Sequence, residues 1–402
     1  MIDVAVLGFG VVGSGTVEVI DKNSERIARN AGRDIRVKHI LDVRDFSGSP
    51  YENLFAKDFD TIVNDPDVAV VVETIGGVGA AREYTLRSLQ AGKSVVTSNK
   101  ELVALHGCEL LKLAQEKGVN YLFEASVGGG IPIIRPLSQC MTANQISEIY
   151  GILNGTTNYI LSEMLKNGAE FSEALVDAQK KGYAEADPTA DIEGHDACRK
   201  ICILSSLAFG RHIYPDQVPA EGIKGVTMED MQFAAKLGCK IKLLGRTRSV
   251  GDKVAAYVAP HLISLDNLLA GVDGVMNGIV VRGNAVGDVL FHGAGAGKMP
   301  TASAVVADII DAAKHLRSHK PASWEEGGAD TAADPSQLES AWYIRTSASR
   351  KQIEHEFGEV VYACEEGPAT AFKTTFMNGK KVRGILDRGI PALSLFRVLG
   401  DY

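Results

Sequence analysis

Short apolar runs alternate with longer amphipathic segments over about the first 130 residues. The amphipathic segments at 80–90 and 101–117 are predicted as helices, and Asn99 and Gly118 can cap the two ends of the second one. The apolar runs are rich in valine and isoleucine, as is typical of strands buried on both faces, and they lie at 4–7, 35–41, 68–72, 95–97 and 121–123. This alternation predicts a doubly wound α/β domain with a parallel sheet over residues 1–130.

The pattern changes between residues 131 and 297. Helical runs lie at 172–181, 194–209 and around 229–237, and alternating, strand-like segments lie at 253–258 and 278–282. This mixture predicts a second domain of the α+β class. A helical run at 302–313 follows Gly297, and we expect the segment from about 298 to 316 to pack back on the first domain and complete it.

Residues 317–339 contain Pro321, Pro335, two glycines and several acidic residues, a composition typical of an exposed linker. The order predicted after it is βαββαβ, which is that of the ferredoxin-like split unit. The strands are predicted at 340–346, 360–365, 371–377 and 394–399, and the helices at 350–357 and 379–388. Residues 340–402 are therefore predicted to form a small third module.

Composition excludes some classes of function. Of the 402 residues, 45% are apolar and 23% charged, which is typical of a soluble globular protein. A net charge of −8 argues against a nucleic-acid partner, and the sequence lacks the run of about 18 uncharged apolar residues that a membrane span needs. Six cysteines without a Cys-x-x-Cys pair predict free thiols and a cytoplasmic protein. Cys198 and Cys202 lie near His195, but the missing fourth ligand disfavours zinc.

A glycine-rich turn follows the first predicted strand and opens a helix. Its residues are Gly8, Phe9, Gly10, Val11, Val12 and Gly13. In a strand–turn–helix context, Gly8 allows the tight turn, Gly10 lets the backbone approach a pyrophosphate, and Gly13 lets helix and strand pack closely. The helix N-terminus supplies amide donors for the phosphates. The turn therefore predicts a Rossmann-type dinucleotide site.

The end of the second strand should select the ribose of that dinucleotide. Asp42 lies there, and a carboxylate would bind the 2′-hydroxyl of NAD and repel the 2′-phosphate of NADP. Arg44 lies two residues further on and could instead hold that phosphate through two hydrogen bonds. The two interpretations conflict; we favour NADP and keep NAD as the alternative.

An acidic segment at 182–194 precedes the predicted helix at 194–209. Asp196 and Lys200 are four residues apart on that helix and share a face. An ion pair exposed on the surface is one interpretation. The other is a substrate site, because carboxylates beside a lysine can receive an ammonium group and a lysine of lowered pKa can relay a proton.

Five segments resemble the sequence signatures of homoserine dehydrogenases. They are residues 98–100, 123–132, 151–161, 182–200 and 295–302, and the resemblance extends in order over roughly residues 1–315. It implies an NAD(P)-dependent oxidoreductase of the CH–OH group that interconverts L-homoserine and L-aspartate 4-semialdehyde in threonine and methionine biosynthesis. It also implies that residues 131–297 bind the substrate and form a homodimer or homotetramer.

The resemblance implies roles for individual residues. Lys200 is similar to the proton donor and acceptor of the family, Asp196 orients it, and Lys100 is a second lysine near cofactor and substrate. The implied substrate ligands are Gly182, Glu185, Asp191, Asp196 and Thr157. Besides the glycine-rich turn, the implied cofactor ligands are Arg44, Thr74, Ser98, Lys100, Gly182, Glu185 and Gly297. A monovalent cation such as sodium is implied at Glu124 and the carbonyl groups of Val127, Gly129 and Ile131, since hard cations prefer oxygen ligands.

The family often carries a C-terminal ACT-like module, which residues 340–402 resemble. Such modules usually have a Gly- or Pro-containing turn after the first strand, whereas this chain has Thr346-Ser347-Ala348-Ser349-Arg350 there. We therefore expect weak or absent feedback sensing. Two rival functions are a semialdehyde dehydrogenase, for which the Cys–His pair is not evident, and a non-catalytic amino-acid sensor that holds NAD(P) structurally.

Overall fold

The computed structural model describes residues 1–316, 318–320, 324–364 and 369–400. Residue 317 and residues 321–323 of the predicted linker, among them Pro321, lie outside the described residues, as do Glu365 at the end of a predicted strand and the last two residues. The chain divides into two compact units. The first comprises Met1–Asn144, Cys202–Tyr214 and Gly293–Gly327, and the second comprises Gln145–Ile201, Pro215–His292 and Gly328–Tyr402.

The first unit contains a parallel five-stranded sheet of order β2-β1-β3-β4-β5. Its strands are β1 Ile2–Leu7, β2 Ile35–Leu41, β3 Val68–Glu73, β4 Ser94–Thr97 and β5 Tyr121–Leu122. The helices between them are α1 Val11–Lys22, α2 Ser24–Ala31, α3 Phe59–Val63, α4 Gly79–Gln90 and α5 Lys100–Lys117. The predicted parallel α/β sheet is thus confirmed, including the caps of α5: Asn99 accepts a hydrogen bond from the Leu102 amide, and Gly118 adopts a left-handed conformation.

Helix α11 (Lys298–Lys314) packs on this sheet, as predicted, although it lies far from the five strands in the sequence. Ala302, Val305 and Ile309 of α11 lie in one apolar core with Val4 and Val72 of the sheet. The helix begins at Lys298, four residues earlier than predicted, because Gly297 with its positive φ of 119° ends the preceding extended segment. The chain between 298 and 314 therefore completes the core of the first unit.

The second unit contains a ten-stranded sheet whose order is β10-β9-β6-β7-β8-β15-β11-β13-β12, with β14 paired to β11. Its strands are β6 Ile146–Ile152, β7 Cys239–Val250, β8 Lys253–Ser264, β9 Met276–Gly283, β10 Gly287–Ala294, β11 Glu339–Thr346, β12 Val360–Cys364, β13 Thr370–Thr374, β14 Met377–Asn378 and β15 Ala392–Leu399. The helices are α6 Gly155–Asn167, α7 Phe171–Lys180, α8 Thr189–Ile192, α10 Met228–Lys236, α12 Arg350–Phe357 and α13 Gly379–Leu386. Helix α9 (His195–Phe209) begins in this unit, and its residues from Cys202 onward belong to the first unit. Strands β6, β7 and β10 and helices α6 and α8 were not predicted from the sequence.

The predicted C-terminal order of elements is confirmed, with one correction. The strand predicted at 371–377 is two strands, β13 and β14, because β14 pairs with the first residues of β11 while β13 pairs with its second half. The last strand, β15, pairs in parallel with β8, Arg397 lying opposite His261. The C-terminal segment therefore shares a continuous sheet with residues 145–292.

The residues after α11 differ from the expected exposed linker. Trp324 is only 5% exposed, and its indole donates a hydrogen bond to the His212 ring over 3.0 Å. Further on, Ala332 makes a β-bridge to Val254 in the second unit. Tryptophan packing and backbone pairing thus anchor a segment whose composition predicts exposure. Within the described ranges, no helix has the length and apolar character needed to cross a bilayer.

Candidate functional site

The glycine-rich turn has the geometry that its spacing predicts. Gly8 adopts a φ of +91°, and a Cβ there would lie 2.7 Å from the Thr74 carbonyl oxygen. A Cβ at Gly13 would lie 1.8 Å from the Gly8 carbonyl oxygen, so only glycine allows α1 to pack this closely. Gly10 is the N-cap residue of α1 and makes no side-chain cap, which leaves the first helical amides directed to a phosphate.

Asp42 and Arg44 form one unit rather than two competing selectors. The Arg44 guanidinium donates to both Asp42 carboxylate oxygens over 3.0 and 2.9 Å, and the Phe9 amide donates to the same carboxylate over 2.6 Å. The bonds from Arg44 hold the pKa of Asp42 far below its ordinary value. The carboxylate is thus occupied by protein donors, while the Arg44 side chain remains 58% exposed beside Gly10.

A cavity of about 850 Å³ opens beside this pair. It is lined by Gly8, Gly10, Leu41, Asp42, Val43, Arg44, Lys57, Asp58, Phe59, Thr74, Ile75, Ala80 and Tyr84. Val43 is fully exposed there, an arrangement suited to packing against a flat apolar ring. The sequence did not single out Lys57 or Tyr84, because they follow no motif and reach the cavity only through the fold.

The loops after β3 and β4 position three further predicted residues of the cofactor site. The Thr74 hydroxyl donates to the carbonyl groups of Leu7 and Gly8, so it holds the glycine-rich turn. Lys100 is the first residue of α5, and Ser98 lies just before the Asn99 cap. The first unit thus gathers all of these residues at the carboxyl edge of the parallel sheet, where dinucleotides bind in such folds.

The second unit buries the predicted catalytic pair. Lys200 Nζ lies 2.7 Å from Asp196 Oδ2 and donates to the Leu153 carbonyl oxygen over 2.8 Å. The Lys200 and Asp196 side chains are only 9% and 8% exposed. The interpretation as an exposed surface ion pair is therefore wrong. A buried lysine with a carboxylate partner is suited to hold or transfer a proton.

Asn154 makes a hydrogen bond to this pair, and the sequence did not single it out as a candidate site residue. Its amide nitrogen donates to Asp191 over 2.7 Å and to Asp196 over 2.9 Å, and its oxygen caps α6 by accepting from the Thr157 amide. Burial raises the pKa of Asp191. The Thr157 hydroxyl bonds back to Asn154, so its visible role is to hold the cap rather than to face a ligand.

Gly182 and Glu185 lie on a loop that is held by its backbone. Thr156 donates to the Tyr183 carbonyl oxygen over 2.6 Å, and Gln179 donates to the Glu185 carbonyl oxygen over 3.1 Å. Gly182 adopts a φ of +74°, which only glycine accepts readily. The Glu185 side chain is exposed, and the hydrogen bond described for this residue uses its backbone, so the carboxylate is accessible to a ligand.

Glu124 is buried in the first unit and accepts three backbone hydrogen bonds, from Ile133, Ile134 and Arg135. A carboxylate has about four acceptor positions, so it retains capacity for one more partner. Across the described residues, the carbonyl oxygens of Val127, Gly129 and Ile131 accept no hydrogen bond, and no cluster of three or more His, Cys, Asp or Glu side chains forms a metal site. Carboxylate and carbonyl oxygens are ligands that suit a hard cation rather than a soft transition metal.

The parallel sheet and the glycine-rich turn place the chain among the dinucleotide-binding proteins. Two family models match the chain: "Homoserine dehydrogenase, NAD binding domain" over residues 8–124 and "Homoserine dehydrogenase" over residues 132–310. The homoserine dehydrogenase of Neisseria gonorrhoeae is 44% identical over 86% of this chain and 82% of its own. That of Pseudomonas aeruginosa is 46% identical over 79% of this chain and 73% of its own.

Solved structures agree with these relatives. A homoserine dehydrogenase from Thiobacillus denitrificans superimposes with a TM-score of 0.89 at 39% identity, covering 99% of this chain and 98% of its own. A hyperthermophilic archaeal homoserine dehydrogenase in complex with NADPH gives a TM-score of 0.66 at 29% identity, covering 77% of this chain and 97% of its own. The chain belongs to the homoserine dehydrogenase family, which confirms the resemblance in its sequence.

Proposed function

We propose that the chain catalyses the NAD(P)-dependent interconversion of L-homoserine and L-aspartate 4-semialdehyde. The buried Asp196–Lys200 pair carries this proposal, since it provides a proton carrier in the segment that resembles the family signature. The nucleotide supplies hydride chemistry when bound. Incubation with homoserine and NADP⁺ at alkaline pH should increase absorbance at 340 nm, and homoserine-independent absorbance would contradict the proposal.

In the second unit, different residues are assigned to proton transfer and to substrate binding. Lys200 accepts the hydroxyl proton during oxidation and returns it during reduction, while Asp196 and the Leu153 carbonyl group hold two of its three donor positions in place. Exposed Glu185 receives the substrate ammonium group, supported by Asp196. Asp191 is coupled to the pair through Asn154. The roles of Lys100, Gly182 and Gly297 at the cofactor and substrate stay predictions from the family resemblance.

Arg44 is proposed to select NADP through its 2′-phosphate. The guanidinium is exposed beside Gly10 and anchored by Asp42, so it meets a phosphate without a large loss of side-chain freedom. Substitution Arg44→Ala is expected to weaken NADP about tenfold or more, and NAD much less, because NAD lacks the phosphate. Binding titrations with both nucleotides check this; equal losses for NAD and NADP would assign the selection to another residue.

A monovalent cation is proposed at Glu124 and the carbonyl oxygens of Val127, Gly129 and Ile131. The support is the remaining acceptor capacity of the carboxylate and the three carbonyl oxygens described above. Such a cation would hold the backbone turn between residues 124 and 131 and take no part in proton or hydride transfer. Sodium and potassium would both bind to this set of oxygen ligands. The cytoplasmic location predicted from the cysteine pattern stays a prediction.

The C-terminal segment is proposed to be an ACT-like module whose main work is oligomerisation. Its strand β15 is already paired with β8. Among the described residues, the sheet ends on this side at β12, which pairs with β13 alone. The turn after β11 runs directly into a capping box at Ser349 and contains no glycine or proline. These observations support assembly into a homo-oligomer over binding of an effector at this turn.

Threonine is expected to inhibit the enzyme weakly or not at all. The turn after β11 contains no glycine or proline that would shape its backbone so that the amide groups face an amino-acid ligand. An activity titration with threonine tests this, together with the variant Ser347→Glu, which places a charge at an exposed position of the turn. Strong inhibition that Ser347→Glu removes would show that the turn does bind an effector.

A further inference from the structure

Glu73 is a fully buried carboxylate at the carboxyl end of β3. Its side chain is 0% exposed and accepts hydrogen bonds from the Ile75 amide over 2.7 Å and the Thr97 hydroxyl over 2.6 Å. Burial raises the pKa of Glu73, and the bonds from Thr97 and Ile75 oppose that rise. Burying a carboxyl group is costly unless its oxygens are hydrogen-bonded, and here each Glu73 oxygen accepts a hydrogen bond.

The cluster continues from Glu73 into the start of α5. The Thr97 hydroxyl oxygen accepts from the Asn99 amide over 2.9 Å. The Asn99 side chain donates to the Gly77 carbonyl oxygen over 2.6 Å and caps α5 through the Leu102 amide. Glu73 thus ties the loop of residues 74–77 to the loop of residues 98–99, immediately before Lys100.

The position of these loops relative to the nucleotide follows from the order of the strands. Arg44 marks the adenosine end after β2, and Gly10 marks the pyrophosphate after β1. The sheet continues from β1 to β3 and β4. A dinucleotide extends along the carboxyl ends of the strands in this class of fold, so its nicotinamide half lies over the ends of β3 and β4. The Glu73 cluster lies at those strand ends.

We propose that Glu73 is a positioning residue that sets the two loops facing the nicotinamide half of the cofactor. This inference rests on the proposed function, since it assumes that a dinucleotide binds at this edge. Glu73 touches neither cofactor nor substrate itself. It acts through Ile75 on one loop and through Thr97 and Asn99 on the other, and so on the placement of Lys100.

The cluster uses both oxygens of the Glu73 carboxyl group as acceptors. One oxygen accepts from the Ile75 amide and the other accepts from the Thr97 hydroxyl. In Glu73→Gln an NH₂ group replaces one of the two acceptor oxygens, so either the Ile75 amide or the Thr97 hydroxyl proton loses its acceptor. Thr74, by contrast, is anchored separately to Leu7 and Gly8, so the adenosine side of the loop should keep its place.

Two substitutions test the proposal, with a matched control. Glu73→Gln alters the carboxylate, and Thr97→Val removes only the hydroxyl that joins it to the second loop. The control Thr85→Val makes the same change in α4 at a buried hydroxyl that has no hydrogen-bond partner among the described residues. The measurements are NADPH affinity, affinity for adenosine 2′,5′-bisphosphate, which lacks the nicotinamide half, kcat at saturating cofactor, and Tm.

Glu73→Gln and Thr97→Val are both expected to weaken NADPH binding or lower kcat about tenfold, the effect of losing a hydrogen bond to a charged group. Binding of adenosine 2′,5′-bisphosphate should stay near the wild-type value, as should every property of Thr85→Val. Equal losses for both nucleotides, or a lower Tm with unchanged kcat and NADPH affinity, would overturn the proposal. Wild-type protein that binds NADPH but does not oxidise homoserine would instead contradict the proposed function.

Discussion

Substitution Lys200→Ala is expected to abolish measurable turnover while leaving cofactor binding nearly intact. Lys200 lies 2.7 Å from Asp196 Oδ2 and donates to the Leu153 carbonyl oxygen over 2.8 Å, so its amino group is held in place within a buried pair. Loss of a general acid–base group lowers rates by about 10²–10⁴-fold. The measurement is kcat at saturating homoserine and NADP⁺, together with the thermal shift caused by NADPH, which shows that the variant is folded and binds nucleotide.

Lys22→Ala is a matched control for that substitution. Lys22 forms an ion pair with Glu18 at the same helical spacing, 2.6 Å apart, but its side chain is 67% exposed. This variant should retain wild-type kcat, because Lys22 lies on an exposed face of α1 and not in the buried Asp196–Lys200 pair that is proposed to carry the substrate proton. If Lys200→Ala kept more than about a third of wild-type kcat, far above the loss expected for a proton carrier, Lys200 would be removed from the mechanism.

The second large effect is expected on stability, from Arg345→Met. Arg345 on β11 donates to Asp230 on α10 over 2.8 Å, and the Asp230 side chain is 0% exposed. Tyr343 and Ser394 donate to the same carboxylate, so α10, β11 and β15 meet at Asp230. Removing one partner of a buried ion pair costs about 3–5 kcal/mol, because the remaining charge stays buried.

Chemical unfolding followed by circular dichroism measures this loss. We expect the free energy of unfolding to fall by about 3 kcal/mol in Arg345→Met. The control Arg388→Met removes an ion pair with Glu356 in which the arginine is 59% exposed, and it should cost less than about 1 kcal/mol. A loss below about 1 kcal/mol in Arg345→Met as well would show that Asp230 does not join the C-terminal strands to α10.

The features that the sequence predicted well depend on local chemistry. Gly8 and Gly13 are glycines because a Cβ would clash within the turn itself, and that requirement is visible from their spacing. Asn99 and Gly118 delimit α5 for similarly local reasons. The pairing of Asp196 with Lys200 also follows from helical spacing alone, and only its burial needed the structure.

The features that the sequence could not predict depend on contacts between distant residues. Asp42 and Arg44 were interpreted as alternative selectors of the ribose, yet they form one ion pair. Their spacing in the sequence does not show whether the two side chains bind each other or compete for the cofactor. Asn154 bridges Asp191 and Asp196, and that bridge requires the start of α6 to lie beside α8 and the first turn of α9. The pairing of β15 with β8 likewise joins segments more than one hundred residues apart, so the C-terminal module looked independent in sequence.

The most direct test of the account follows the hydrogen at C4 of the substrate. L-Homoserine with both C4 hydrogens replaced by deuterium is incubated with the enzyme and NADP⁺, and both products are examined by mass spectrometry. We expect the reduced nucleotide to gain one deuterium and the semialdehyde to keep the other, because hydride leaves C4 while Lys200 takes the hydroxyl proton. Reduced nucleotide without deuterium, or no reduced nucleotide with the folded enzyme, would contradict it.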